Sequence, residues 1–340
     1  MAATEWTEYP LTFGFTARTS REVMQRRSTF LLRRPDASMP SGRRYAEANF
    51  FESLAPESRA DFLAQLKAYC DGTLPYGSVT SSAVRCAADM LNMPLPDNTW
   101  TRGHSGIAIN GLIWMADKHT MRQAIAAKLQ QGFKVLKLKI GGIDFDDELN
   151  LIRAVRRQFT PDELEIRLDA NGSFTPENAA ERLERLSQFG IHSIEQPVRQ
   201  GQYGLMAELC RTSPIDIALD EDLIGLRSDA EKLAMLRQIR PAYIILKPTL
   251  CGGLKESDSW RSLALQEGIG WWLTSALESS IGLYYLAAFV SQYPLDIPQG
   301  LGTGQIYTDN IGSCLNMHDA ALYGGPMQFD YNLLDSLHWQ

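Results

Sequence analysis

The sequence predicts an α/β protein: a parallel β/α barrel or a doubly wound sheet, preceded by a smaller α+β lobe. Three observations predict it. The chain changes rhythm near residue 100, short apolar runs then alternate with amphipathic helices, and those runs end in charged residues at regular intervals. The 340 residues, 44% hydrophobic and 21% charged, are enough for one large barrel with an extra lobe or for two domains.

In the first hundred residues, hairpin-like apolar runs at 9–16 and 28–34 meet the turn-rich Arg34-Pro35-Asp36-Ala37-Ser38-Met39-Pro40-Ser41-Gly42. Helices are predicted over 55–69 and 81–91, and Pro94-Leu95-Pro96-Asp97-Asn98 has the composition of a linker. That is an α+β layout. Beyond residue 104, strands are predicted at 107–109, 134–140, 164–168, 192–194, 215–219, 242–246 and 269–273, with a weak eighth at 296–297. Thr175-Pro176-Glu177 predicts a helix start, with an N-cap, a proline at the first helical position and an early acid. Leu183, Leu186 and Phe189 mark its buried face, and Gly190 its stop. Ser228-Asp229-Ala230-Glu231 is a capping box ahead of Leu233, Leu236 and Ile239. Eight strands alternating with helices over about 210 residues suit a barrel. A doubly wound sheet shares that alternation, so periodicity leaves both open.

Composition excludes several classes. Thirty-three basic against 40 acidic residues give a net charge of −7, without the clustered Lys and Arg that phosphate neutralisation needs. A small anionic substrate stays compatible, because a local site can be positive in an acidic protein. No run approaches the ~18 apolar residues of a membrane span. Met1-Ala2-Ala3-Thr4-Glu5-Trp6 lacks the basic head and apolar core of a signal peptide. Cys70, Cys86, Cys210, Cys251 and Cys314 form no CxxC pair and read as reduced thiols, so a cytoplasmic location is expected.

The strand ends carry the chemistry. Lys137-Leu138-Lys139 puts two lysines on one face of a strand. Later strands end in Asp169-Ala170-Asn171, Glu195-Gln196-Pro197, Asp220-Glu221 and Lys247-Pro248. The intervals from Lys139 through Asp169, Glu195 and Asp220 to Lys247 are 30, 26, 25 and 27 residues, one β/α unit each. Three carboxylates converging on one rim repel unless a positive charge lies among them. Hard oxygen ligands favour Mg²⁺ or Mn²⁺. A lysine beside a metal and a second lysine loses its proton more readily and can serve as a base. The implied chemistry is proton abstraction α to a carboxylate.

Singly, each residue has a structural alternative: a solvated rim lysine, an Asp as helix N-cap, an Arg167–Asp169 ion pair, an Asn171-Gly172 turn. The joint register sets these alternatives aside. Other features point to structure. The five histidines show no ligand spacing, and Gly252-Gly253 and Gly302-Thr303-Gly304 form no phosphate-binding motif. Ser279-Ser280 reads as a helix cap, Trp271-Trp272 and Tyr284-Tyr285 as core, and Cys251 lacks a partner base.

The motifs K-x-K, D-x-N, E-x-P, D-E and a late Lys resemble those of the enolase superfamily, in its muconate-lactonizing-enzyme subgroup. They stand here at Lys137–Lys139, Asp169–Asn171, Glu195–Pro197, Asp220-Glu221 and Lys247. Within the subgroup, Ile109-Asn110-Gly111-Leu112-Ile113-Trp114, Ile245-Leu246-Lys247-Pro248-Thr249-Leu250 and Leu277-Glu278-Ser279-Ser280-Ile281-Gly282 resemble the o-succinylbenzoate synthase family. The resemblance covers roughly residues 104–317 and is faint over the first hundred. It implies a modified (β/α)7β TIM-type barrel over 101–317. An α+β capping domain over 1–100, completed by about 318–340, would place loops such as 15–27 over the pocket.

The resemblance also implies roles. Asp169, Glu195 and Asp220 would hold Mg²⁺ (or Mn²⁺), Lys139 would be the general base and then the acid, and Lys247 would stabilise the enediolate. Lys137 would bias Lys139 and touch the substrate carboxylate, Arg167 would line the pocket, and Asn171 would orient the substrate or a metal ligand. The implied activity is that of a carbon–oxygen lyase of menaquinone biosynthesis. It dehydrates 2-succinyl-6-hydroxy-2,4-cyclohexadiene-1-carboxylate in a syn sense. The alternative is an N-acylamino-acid racemase or dipeptide epimerase. A small carboxylate is the only partner implied, with no nucleic acid or membrane, and the oligomeric state is left open. The sequence departs from relatives with a G-x-G-E loop, since its nearest text is Gly42-Arg43-Arg44-Tyr45-Ala46-Glu47. Gln299-Gly300-Leu301-Gly302-Thr303 also lacks the Asp-x-Asp with which dipeptide epimerases grip an amino group, which favours an all-carboxylate substrate.

Overall fold

Alternating apolar residues open the chain as a sheet. In the computed structural model, which describes residues 4–18 and 23–340, β1 (Glu5–Arg18) pairs antiparallel with β2 (Val23–Pro35), and β2 with β3 (Arg43–Ala48). Tyr9, Leu11 and Phe13 point to one buried face, as period-2 alternation requires. Two helices follow, α1 (Arg59–Cys70) and α2 (Ser82–Asn92), each started by a serine whose hydroxyl accepts an orphan amide: Ser58 from Asp61, Ser81 from Val84.

The chain then enters β4 (Gly106–Ala108) and β5 (Gly111–Ile113), and six further β/α units follow. In order these are α3 (Lys118–Gln130), β6 (Val135–Lys139), α4 (Phe145–Arg156), β7 (Glu165–Asp169), α5 (Ala179–Ser187), β8 (Ser193–Glu195), α6 (Tyr203–Thr212) and β9 (Asp216–Leu219). Next come α7 (Asp229–Ile239), β10 (Tyr243–Leu246), α8 (Leu254–Gln266), β11 (Gly270–Leu273) and α9 (Ser280–Val290). Strands β5 to β11 form one seven-stranded parallel sheet in sequence order. Two parallel bridges, Ile109 to Gln299 and Thr274 to Gly300, join its two edges and curl it into a barrel. The order β5 through β11 with closing bridges is that of a barrel, not of a doubly wound sheet.

Three expectations are corrected. The apolar run at 107–109 meets the barrel only at Ile109, through its bridge to Gln299: Gly106–Ala108 pairs antiparallel with β13 (Ala321–Tyr323), itself paired with β12 (Asn316–His318). Its buried Ile107 between exposed neighbours suits a one-faced antiparallel sheet, whereas β6 is buried throughout. The opening barrel strand is Gly111–Ile113, three residues that give almost no periodic signal. The closing strand is not at 296–297 but at Gln299-Gly300, because Pro298 has no N–H to give a ladder. There the Gln299 side chain extends the pairing: its Oε1 accepts from the Leu273 amide at 2.8 Å. Finally, Pro176 sits in a turn, and regular helix begins only at Ala179. The capping box at Ser228 and Glu231 is present as expected.

The last residues return to the first sheet. Trp6 and Gln340 exchange two backbone hydrogen bonds, and α10 (Tyr331–Ser336) brings Tyr331 beside Tyr45. The first sheet grips the barrel through Glu47. Its buried carboxylate accepts from the Ser279 amide at 3.0 Å, the Ser279 hydroxyl at 2.6 Å and the Gly282 amide at 2.9 Å, at the N-terminus of α9. Thr29 Oγ1 donates to it at 2.6 Å. Anions are favoured at that helix end. Gly282 is required there, since a Cβ would lie 2.7 Å from Glu47 Oε2. Among the described residues no helix is long and apolar enough to cross a membrane.

Glu47→Ala strands these donors in the interior and is expected to lower stability by about 2–3 kcal/mol. The urea midpoint of the variant against wild type checks this.

Candidate active site

Parallel pairing puts the charged strand ends side by side. Lys139 is the cross-strand partner of Asp169, and Asp169 of Glu195. Asp220 and Lys247 follow the last residues of β9 and β10. Lys139, Asp169, Glu195 and Asp220 are buried, as is Lys137, and Lys247 is half-buried with its side chain 11% exposed.

The six groups form one network. Lys137 Nζ lies 3.0 Å from Asp169 Oδ2 and also contacts Glu195. Lys139 Nζ donates to Asp169 Oδ2 at 2.9 Å and to Asn171 Oδ1 at 2.8 Å. Lys247 Nζ lies 3.4 Å from Glu195 Oε1 and pairs with Asp220. Among the described residues no three potential ligands stand together as a ready-made metal site. Lys137 and Lys247 are instead interposed among the carboxylates.

Burial and charge compete here. Burial pushes the Asp169 carboxyl up, but Lys137, Lys139 and Lys247 together hold it well below the usual carboxylate range. At Glu195 burial wins, reinforced by Asp169, and the carboxyl is pushed up to about 7. Burial would strip the proton from Lys247, yet Asp220 and Glu195 hold it on, well above the usual lysine range.

The loops behind the strand ends are tightly shaped. Asn171 (φ 44°), Gln196 (φ 41°) and Leu277 (φ 68°) are left-handed without being glycine. Gln196 braces its neighbours, accepting from the Asp220 amide at 3.1 Å and donating to Asp222 Oδ2 at 2.8 Å.

A cavity with about 840 Å³ of space not filled by atoms opens over this rim. Lys137, Lys139, Asn171 and Lys247 line its floor, the segment Thr274–Leu277 one wall, and Trp114 with Phe51 and Leu54 its apolar side. Arg167 is the exception among the expected pocket residues. It shares the inward face of β7 with Asp169 but sits below it, donating to Glu165 Oε1 at 2.6 Å and Pro298 O at 2.9 Å, with its guanidinium 4.7 Å above Trp272. It closes the floor of the barrel and does not line the cavity. Of the expected lid loop 15–27, residues 19–22 lie outside the described residues; Phe15 meets Trp114 edge-on at 5.6 Å.

Sequence reasoning missed Thr274 and the wall after it. Thr274 stands 27 residues past Lys247 (274 − 247), one more β/α unit, but an uncharged strand end gives no signal. Its Oγ1 and Asn110 Oδ1 are buried without a hydrogen-bond partner, and both residues line the cavity.

The comparisons with known proteins agree with this fold. Residues 120–307 match the family described as enolase C-terminal domain-like. The chain belongs to that family. It is 54% identical over 225 residues to the o-succinylbenzoate synthase of Desulfotalea psychrophila, an alignment covering 66% of this chain and 61% of that protein. The solved structure of MenC from Desulfotalea psychrophila LSv54 superposes with a TM-score of 0.78 at 37% identity, over 95% of this chain and 99% of that one. The muconate lactonizing enzyme of Pseudomonas fluorescens shares the fold, with a TM-score of 0.81 at 18% identity over 98% of each chain. The chain thus spans about three fifths of the length of the curated relative it matches at 54%.

Two stability effects follow. Asp169→Asn leaves Lys137 and Lys139 short of negative charge in the interior and is expected to cost about 3–5 kcal/mol, read from urea unfolding. Glu195 holds its proton to about pH 7 in the native state, well above its range in an unfolded chain. The native state therefore binds the extra proton, and this group's contribution is fully present below about pH 4.5 and lost as pH rises to about 7. In EDTA, the urea midpoint should fall across that window in wild type and fall less in Glu195→Gln.

Proposed function

We propose that this site dehydrates 2-succinyl-6-hydroxy-2,4-cyclohexadiene-1-carboxylate to o-succinylbenzoate, the product after which the Desulfotalea relative is named. The observation that carries the reading is the placement of Lys139 and Lys247. They flank the buried carboxylates from β6 and from just past β10, with three strands between, and both line the same cavity.

We read the three carboxylates, hard oxygen donors drawn together around shared ammonium groups, as the holders of a divalent cation. Single ammonium groups already touch them in pairs, Lys137 on Asp169 and Glu195 and Lys247 on Glu195 and Asp220, so each pair is close enough to share one positive centre. Asp169, Glu195 and Asp220 would hold Mg²⁺, with Mn²⁺ as the alternative. When bound, the cation supplies positive charge to the substrate carboxylate and so acidifies the adjacent C–H.

The chain's own groups do the rest. Lys139, as the free amine, takes the proton from the carbon bearing the carboxylate, and the electron pair left behind expels the neighbouring hydroxyl on the same face. The resulting ammonium gives its proton to that hydroxyl, which departs as water, and the ring becomes aromatic. Lys247 presents its ammonium from the far side and offsets the charge developing on the carboxylate. Lys137 holds Asp169 and Glu195 in place, and Asn171 holds Lys139. Aromatisation drives the elimination, so no strong leaving-group acid is needed.

In this reading residues 1–100, with about 318–340, cap the catalytic barrel of 101–317. Phe51 and Leu54 on the cavity wall support it. The small carboxylate is the only partner proposed. A cytoplasmic location is proposed as well, supported by the free thiols of all five cysteines.

A racemase or epimerase would also use lysines on both flanks, and N-succinyl-L-Arg/Lys racemase of Bacillus cereus is 28% identical over 218 residues. The test is to strip the protein with EDTA, add the cyclohexadiene substrate, and follow its ultraviolet absorbance with and without Mg²⁺. Rapid Mg²⁺-dependent loss is expected, reduced at least about a thousandfold in Lys139→Ala. No loss with folded, metal-loaded protein overturns the reading. Deuterium exchange into N-succinylamino acids, halted for one enantiomer only by Lys247→Ala, would establish the isomerase instead.

A further inference from the structure

The cavity wall after β11 is held in a conformation its sequence does not favour. Leu277 has φ 68°, in the left-handed region that a γ-branched residue with a Cβ seldom occupies. Such a residue persists only where its surroundings over-determine it. Here the surroundings are identifiable. The Leu277 carbonyl accepts from Tyr307 Oη at 2.8 Å and from Arg27 Nη1 at 2.6 Å. The Ala276 carbonyl accepts from Asn49 Nδ2 at 2.8 Å and from Arg27 Nη1 at 3.3 Å. The Ala276 amide donates to Glu278 at 2.7 Å.

Arg27 belongs to β2 and Asn49 follows β3, so the barrel's own turn is clamped by the N-terminal sheet. The other arm of the same guanidinium donates to Phe50 O at 3.1 Å and to Asn49 Oδ1, and its carbon lies 4.9 Å from the Phe51 ring centre. One side chain therefore ties the Ala276-Leu277 wall to the Phe51 side of the cavity, and all three of these residues line it.

We propose that Arg27 is a positioning residue that sets the shape of the substrate cavity by holding the left-handed Ala276-Leu277 turn against the N-terminal sheet. Arg27 does not line the cavity and has no part in proton transfer. Its loss therefore loosens substrate binding while the Lys139 chemistry continues. The proposal rests on the cavity being the substrate site of the dehydration described above.

The test uses the full chain with Arg27→Met, Arg27→Lys, Leu277→Gly and the Arg27→Met/Leu277→Gly pair. Hydrogen–deuterium exchange over residues 274–280 should quicken about tenfold in Arg27→Met while β6 to β10 keep their protection. With the cyclohexadiene substrate, KM should rise about tenfold with kcat nearly unchanged, and Arg27→Lys should recover part of the loss. Glycine adopts φ > 0 unaided, so in the Leu277→Gly background Arg27→Met should raise KM no more than about threefold. Unchanged exchange and KM in Arg27→Met overturn the proposal, as does the same KM ratio in both backgrounds. Should Arg27→Met not fold, Tyr307→Phe, which removes the other donor to Leu277, must raise KM without lowering kcat; an unchanged KM overturns the proposal. If wild type leaves the substrate untouched, the dehydration reading fails, and the exchange measurement alone decides the role of Arg27.

Discussion

Mutual neutralisation of buried charge is the constraint on which the rest of this structure depends. Three carboxylates and three lysines lie at one end of the barrel, where an isolated charge would be prohibitive. They are tolerable only in register, each ammonium shared between carboxylates or between a carboxylate and Asn171. The parallel ladder supplies that register, since Lys139, Asp169 and Glu195 are successive cross-strand partners. A slip of one residue in any of these strands would turn its charged end out of the barrel and leave the others unpaired.

The same constraint explains the shape of the loops. Gln196 directly after Glu195, and Asn171 two residues after Asp169, adopt left-handed backbone where the chain must turn sharply without uncovering the charges. Gln196 then satisfies the Asp220 amide and Asp222 together, so one neutral side chain ties the turn after β8 to the acidic loop after β9. Below the ring, Arg167 and Glu165 form a separate ion pair with the guanidinium stacked over Trp272, and the barrel carries a polar floor distinct from its reactive rim.

The N-terminal sheet is more than a cover over the cavity. Glu47 caps α9, Asn49 accepts into and donates across the junction, and Thr249 Oγ1 donates back to Asn49 O at 2.8 Å. The Glu47 and Asn49 side-chain contacts converge on the segment from Thr274 to Gly282, which carries one wall of the cavity and starts the apolar helix α9. Shape at the wall is thus decided jointly by residues more than two hundred positions apart, such as Glu47 and Ser279.

How much of this was legible follows from where each signal lies. The charged ring could be read because it is written once per β/α unit, in residue types that stand out against apolar strands: Lys139, Asp169, Glu195, Asp220, Lys247. The capping box at Ser228 was legible because it is local, complete within four residues. The opening and closing strands were not, because Gly111–Ile113 and Gln299-Gly300 are too short to carry a period and exist only by pairing with distant partners. Arg167 was misassigned because alternation gives the face of a strand but not the depth along the barrel axis. By itself, then, the sequence determined the alternation, the inward face and the order of the charges, since these depend on spacing along one chain. Only the tertiary structure decided where the barrel closes, which inward residues reach the cavity, and that Arg27 and Glu47 hold its wall, since each depends on contacts between segments that the sequence keeps apart.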